Sequence, residues 1–97
     1  AYLGLGLAQY VMGENKKALK NLEYASLLNP LAAYPHNYLG KALLETGERH
    51  EAEAELLRAV QLDPNDPTPH LYLAALKADS FRPGEAVISY EKAMELN

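Results

Sequence analysis

NYLGKALLETGERHEAEAELLRAVQLDP, residues 37–64, holds two apolar stripes at helical spacing, divided by a glycine and closed by a proline. In the first, Tyr38, Leu39, Ala42, Leu43 and Thr46 recur with the period of one helix face and predict an amphipathic helix. Gly47 follows where a helix C-terminus needs a residue that tolerates positive φ. A second run through Ala52, Leu56, Ala59 and Val60 predicts another helix, which must stop before Asp63-Pro64 because proline cannot continue it. The short loop makes the two helices antiparallel neighbours.

Outward from this stretch, the chain repeats itself. A shift of 34 residues pairs Leu5 with Leu39, Gly6 with Gly40, Ala8 with Ala42, Gly13 with Gly47, Ala18 with Ala52, Leu22 with Leu56, Ala25 with Ala59 and Pro30 with Pro64. The next shift pairs Pro35 with Pro69, His36 with His70, Tyr38 with Tyr72, Leu39 with Leu73, Ala52 with Ala86, Ala59 with Ala93 and Leu62 with Leu96. The 97 residues therefore read as one domain of three copies, 1–32, 33–66 and 67–97, the first truncated at its start and the last at its end. The chain begins without Met and partway through a copy, which suggests a piece of something longer.

QLDPNDPTP, residues 61–69, has the proline content of a linker, but the period makes it a corner between copies. Pro64 stops one helix, Asp63 and Asn65 suit a turn, and Pro67 and Pro69 fall before or within the first turn of the next, where no intrahelical N–H is needed. NPLAAYP, residues 29–35, does the same one copy earlier. Small residues recur in register at Gly6, Gly40 and Ala74, at Ala18, Ala52 and Ala86, and at Ala25, Ala59 and Ala93. They let helix axes approach toward the lower end of the usual range of about 8–10 Å. Leu5, Leu39 and Leu73, with Leu22, Leu56 and Tyr90, are expected to fill the space between those crossings. In the third copy Phe81 replaces the loop glycine and Pro83-Gly84 follows, so a remodelled turn is expected there, with Pro83 opening the last helix.

Composition excludes several functions. The formal net charge is −4, and most of the acidity lies in residues 33–66. With no clustered Lys or Arg to neutralise phosphates, nucleic acid is not an expected partner, and an acidic membrane surface is disfavoured for the same reason. No apolar run approaches the roughly 20 residues that span a bilayer, and AYLGLGLAQY lacks the basic region and cleavage site of a signal peptide, so the chain reads as soluble with no targeting segment. Without cysteine there is no disulfide, thiolate metal site or Cys nucleophile. GLGLAQ, residues 4–9, lacks the third glycine and the preceding strand of a nucleotide loop.

A 34-residue helix-turn-helix with L-G-x-A, a glycine seven residues after the first, spaced small and apolar positions and a closing D-P or N-P resembles the tetratricopeptide repeat family over the whole chain. The resemblance implies an all-α fold, a right-handed α-solenoid whose first helices line a concave groove for an extended or helical peptide. Its groove positions fall on Leu3, Gly4, Leu7, Tyr10 and Val11 in the first copy. In the second they fall on Tyr34, Asn37, Tyr38, Lys41, Leu44 and Glu45, and in the third on Thr68, Leu71, Tyr72, Ala75 and Asp79. This surface is rich in tyrosine, which offers a large ring at low entropy cost with a polar tip. Family members that grip the carboxylate tail of heat-shock chaperones use Lys, Asn and Arg where this chain has Leu3, Leu7, Tyr38, Thr68 and Tyr72. That mode is not expected here.

Each candidate has a plainer reading. Tyr38 and Tyr72 can anchor a ligand or pack between first helices. His36 and His70 can face each other as a metal pair, but no third ligand is evident, and packing or exposure is the simpler expectation. His50, at a helix start, is expected in water. Glu48, Glu51, Glu53 and Glu55 surround that start and are expected to complement its dipole and stay wet, not to bind cations. No catalytic constellation, metal site or cofactor site emerges. The reading is a non-catalytic scaffold that binds a protein or peptide. The alternatives are self-assembly through uncapped solenoid ends, giving a homo-oligomer by repeat stacking, or an accessory domain of a larger enzyme.

Overall fold

The computed structural model describes residues 15–80 and 82–97. These form five helices: α1 (Asn15–Leu28), α2 (Ala33–Glu45), α3 (Arg49–Leu62), α4 (Thr68–Asp79) and α5 (Pro83–Leu96). Each packs on the next in sequence, and α2 also touches α4. The described part is thus about two and a half helix pairs, α1 alone and then α2–α3 and α4–α5, where three copies were expected; residues 1–14 lie outside it.

Small residues set the spacing as the register predicts. A Cβ added to Gly40 would lie 2.6 Å from Leu56 Cγ and 3.3 Å from the Ala52 carbonyl oxygen, so α2 and α3 cross where glycine removes the obstruction. Ala18, Ala25, Ala52, Ala59 and Ala93 are buried at their crossings. Leu22, Leu39, Ala42, Leu43, Ala52 and Leu76 form the core cluster, against which Leu19, Tyr38 and Leu44 pack. Leu76 holds the position of Ala8 and Ala42, so identity between copies gave no sign of it.

Tyr90 departs from expectation. Leu22 and Leu56, its equivalents, are fully buried, whereas Tyr90 is 53% exposed. The reason is position in the stack: among the described residues α3 lies against both α2 and α4, but α5 lies against α4 alone.

The turns also bear on the register. Thr46 ends α2, Gly47 takes φ +88°, and the Glu48 N–H reaches back to the Leu43 carbonyl at 2.9 Å. This is the closure that a left-handed residue after a helix permits. One copy later, the Arg82 N–H reaches the equivalent Lys77 carbonyl at 2.8 Å, and Pro83 opens α5 at the position of Arg49 in α3. Pro83 therefore starts the last helix as expected, and the two turns share one closing backbone bond; the remodelling expected in the third copy falls on Phe81. Phe81 itself lies outside the described residues.

The corner at 63–67 is built from its own polar groups. Asp63 Oδ1 accepts the Asn65 N–H at 3.3 Å, and Asp66 Oδ1 accepts the N–H of Thr68, the first residue of α4, at 3.0 Å. Pro69 is fully buried in the first turn of α4, so the corner is packed as well as hydrogen-bonded.

Candidate functional site: the paired face of α2 and α4

Because α2 and α4 touch, their side chains make one surface. Tyr34 and Tyr38 lie one helical turn apart and stack, with ring centroids 6.3 Å apart and planes inclined by 16°. The Lys41 Nζ sits 5.2 Å from the centre of the Tyr72 ring, a cation–π contact that joins the two helices. Tyr34 is 63% exposed, Leu71 is exposed, and Tyr38, Lys41 and Tyr72 are half-buried. Tyr38 also packs on the core cluster, so it has a structural role whatever else it does. Leu3, Leu7 and Tyr10, with Gly4 and Val11, lie outside the described residues.

Asn37 differs from its expected place on an open surface. It is buried, its Oδ1 has no hydrogen-bond partner, and yet it lines a cleft of about 340 Å³ between α2, the corner and α4. Tyr34 and Tyr38 of α2 line that cleft together with Asp63, Asn65 and Asp66 of the corner and Thr68 at the start of α4.

The histidines are not a pair. His36 Nδ1 lies 2.6 Å from Glu55 Oε2, and Nε2 lies 3.1 Å from the Pro30 carbonyl oxygen. A carboxylate and a backbone carbonyl thus bracket the two ring nitrogens. His36 thereby ties α2 to α3 and to the preceding corner. At the position equivalent to Glu55 the third copy has Ser89, whose hydroxyl accepts from Lys77 Nζ at 3.0 Å. His70 therefore lacks that carboxylate. Burial lowers its pKa from the usual 6.5, the charges of Lys92 and Lys77 lower it further, and Asp66 partly opposes them.

The glutamates are less uniform than expected. Glu48 and Glu51 are exposed, and so is His50. Glu55 is bound to His36, and Glu53 pairs with Arg82 at 3.2 Å, joining α3 to the turn of the next copy. Identity between copies gave no sign of these partnerships, since each joins residues far apart in sequence. Among the described residues, no three His, Asp or Glu side chains are grouped to hold a metal, and no helix is long and apolar enough to cross a membrane.

The family model of the tetratricopeptide repeat matches residues 35–76. Over 61 residues the chain is 36% identical to ETO1-like protein 2 of Arabidopsis thaliana, covering 63% of this chain and 7% of that protein. The crystal structure of MamA superposes with a TM-score of 0.91 at 24% identity, over 98% of this chain and 56% of that one. The second TPR of Spaghetti (RPAP3), bound to the HSP90 peptide SRMEEVD, superposes with a TM-score of 0.93 at 17% identity, over 99% and 89% of the two chains. At these identities the two structures establish a shared fold. The chain spans about half of MamA and a small fraction of the Arabidopsis protein. Repeat register, helix-pair stacking and the family match together place residues 35–76 in the tetratricopeptide repeat family.

Proposed function

We infer that the chain is a non-catalytic interaction module that takes a peptide or helix of a partner protein on the α2–α4 face, the concave side of a right-handed solenoid of three copies. One observation carries this reading: Tyr34, Tyr38, Lys41, Leu71 and Tyr72, far apart in sequence, lie on two touching helices, with Lys41 of one over the Tyr72 ring of the other. Exposed and half-buried aromatic rings held by such contacts are pre-ordered for binding, which lowers the entropy lost on association. The HSP90 peptide bound to the Spaghetti domain supports peptide binding as a use of this fold. It does not extend to this chain's ligand, since Tyr38, Thr68 and Tyr72 occupy three of the positions that would grip a carboxylate tail.

Tyr34 is the most exposed of the tyrosines on this face and is the cleaner probe, because Tyr38 also supports the core. Capture of partners from host lysate by the chain and by Tyr34→Ala, each verified as folded by circular dichroism, tests the reading. Partners lost only in the variant support it; an unchanged set moves recognition off this face.

A second reading is favoured by α5, which exposes Val87, Ile88, Tyr90 and Met94. Leu71, Tyr90, Ala93 and Met94 line a mainly apolar cleft there. A further helix or a second copy of the chain would bury this face, which makes stacking the rival to peptide binding. A monomer by light scattering at high concentration would count against self-stacking.

A further inference from the structure

The cleft between α2, the corner and α4 has a chemistry of its own. Its lining carries Asp63 and Asp66, each using Oδ1 to hold a backbone N–H and leaving its second oxygen, and among the described residues no basic side chain lines it. Asn37, 3% exposed, adds a buried Oδ1 with no donor, an arrangement that folded proteins avoid unless something else completes it. The stacked rings of Tyr34 and Tyr38 line the same cleft. The N-termini of α2 and α4 contribute roughly +0.5 charge each, which two carboxylates at −2 outweigh, so the cleft favours a cation.

The occupant must donate several hydrogen bonds to acceptors on different elements and lie against aromatic faces. A bare metal ion does not suit this, since no three ligating side chains converge among the described residues. An ammonium is a point charge, while a guanidinium is a flat fork of five donors that stacks on rings. We propose that this cleft is a subsite for an arginine side chain of the bound partner, with Asp63 and Asp66 pairing the charge, Asn37 Oδ1 accepting one N–H, and the Tyr34–Tyr38 pair packing on the plane. The inference rests on the α2–α4 face being the binding face and specifies what that face selects: a peptide that is basic at this point.

The test is an amide-resolved NMR titration of the 97-residue chain with acetyl-Ala-Arg-Ala-amide, and with the same peptide carrying citrulline, which keeps the shape and removes the charge. Saturable shifts are expected at Tyr34, Asn37, Tyr38 and Thr68, weakened about tenfold or more by citrulline and by Asp63→Asn/Asp66→Asn. Absent or scattered shifts, or equal binding of the citrulline peptide, overturn the subsite. The two ligands are compared on the unaltered protein, so the test stands even where the double variant fails to fold. If the arginine peptide fails while Tyr34→Ala still abolishes partner capture, the subsite is wrong and the binding face survives; if the peptide fails and capture is unchanged in Tyr34→Ala, both are overturned.

Discussion

The second and third copies are built on one pattern and differ in what surrounds them. At equivalent positions, Leu56 is fully buried and Tyr90 is more than half exposed; Glu53 pairs with Arg82, while Val87 faces solvent. His36 is held by Glu55 and a carbonyl, whereas His70, whose partner position is Ser89, sits among lysine charges. A shared pattern therefore fixes the helices, while burial and polar partnership depend on a neighbour that α3 has on both sides and α5 has on one.

The largest expected effect breaks the comparison at its centre. Leu56→Ala should destabilise by about 2–5 kcal/mol, while Tyr90→Ala should fall within about 0.5 kcal/mol of the parent in the same urea unfolding experiment. Similar losses at both positions would mean that α5 is covered in solution. Gly40→Ala comes next, because its Cβ would press on Leu56 and the Ala52 carbonyl; a loss of about 1–3 kcal/mol is expected, measurable as a lower urea midpoint. Ala74, already carrying a Cβ at the equivalent register, shows that the third copy tolerates one.

Glu55→Gln removes the charged partner of His36 and should cost about 1 kcal/mol, discounted for its partial exposure. Ser89→Ala, at the matching position, should cost less, since it removes a single bond from Lys77; thermal unfolding of both variants checks the order. Gly47→Ala should cost about 1 kcal/mol through φ +88° alone, because nothing lies near its Cβ.

The smallest effect is pH-dependent. The folded-state pKa of His70 is lowered below 6.5, so as pH falls the unfolded chain takes up the proton first. The stability contribution is present above 6.5 and is lost as pH falls through the window below it. Between about pH 7.5 and pH 5.5, His70→Gln should lose less stability than the parent. His70 is partly exposed, so the difference is expected to be small.

The period of 34, the glycine and proline punctuation and the small-residue registers specify the helix pairs, because each is a local requirement: a positive φ, a missing N–H, room for a crossing. Gly40, Gly47, Pro69 and Pro83 all stand where those requirements place them. The tyrosine face was expected through the family resemblance, and it forms because helical spacing puts Tyr34 and Tyr38 on one side and the repeat puts Tyr72 on the neighbour. Asn37 with its unpartnered oxygen, the His36–Glu55 and Glu53–Arg82 pairs and the exposure of Tyr90 were decided only in the tertiary structure. Each depends on which atoms a separate helix or corner brings within bonding distance, and a repeat pattern gives every copy the same helices without giving it the same neighbours.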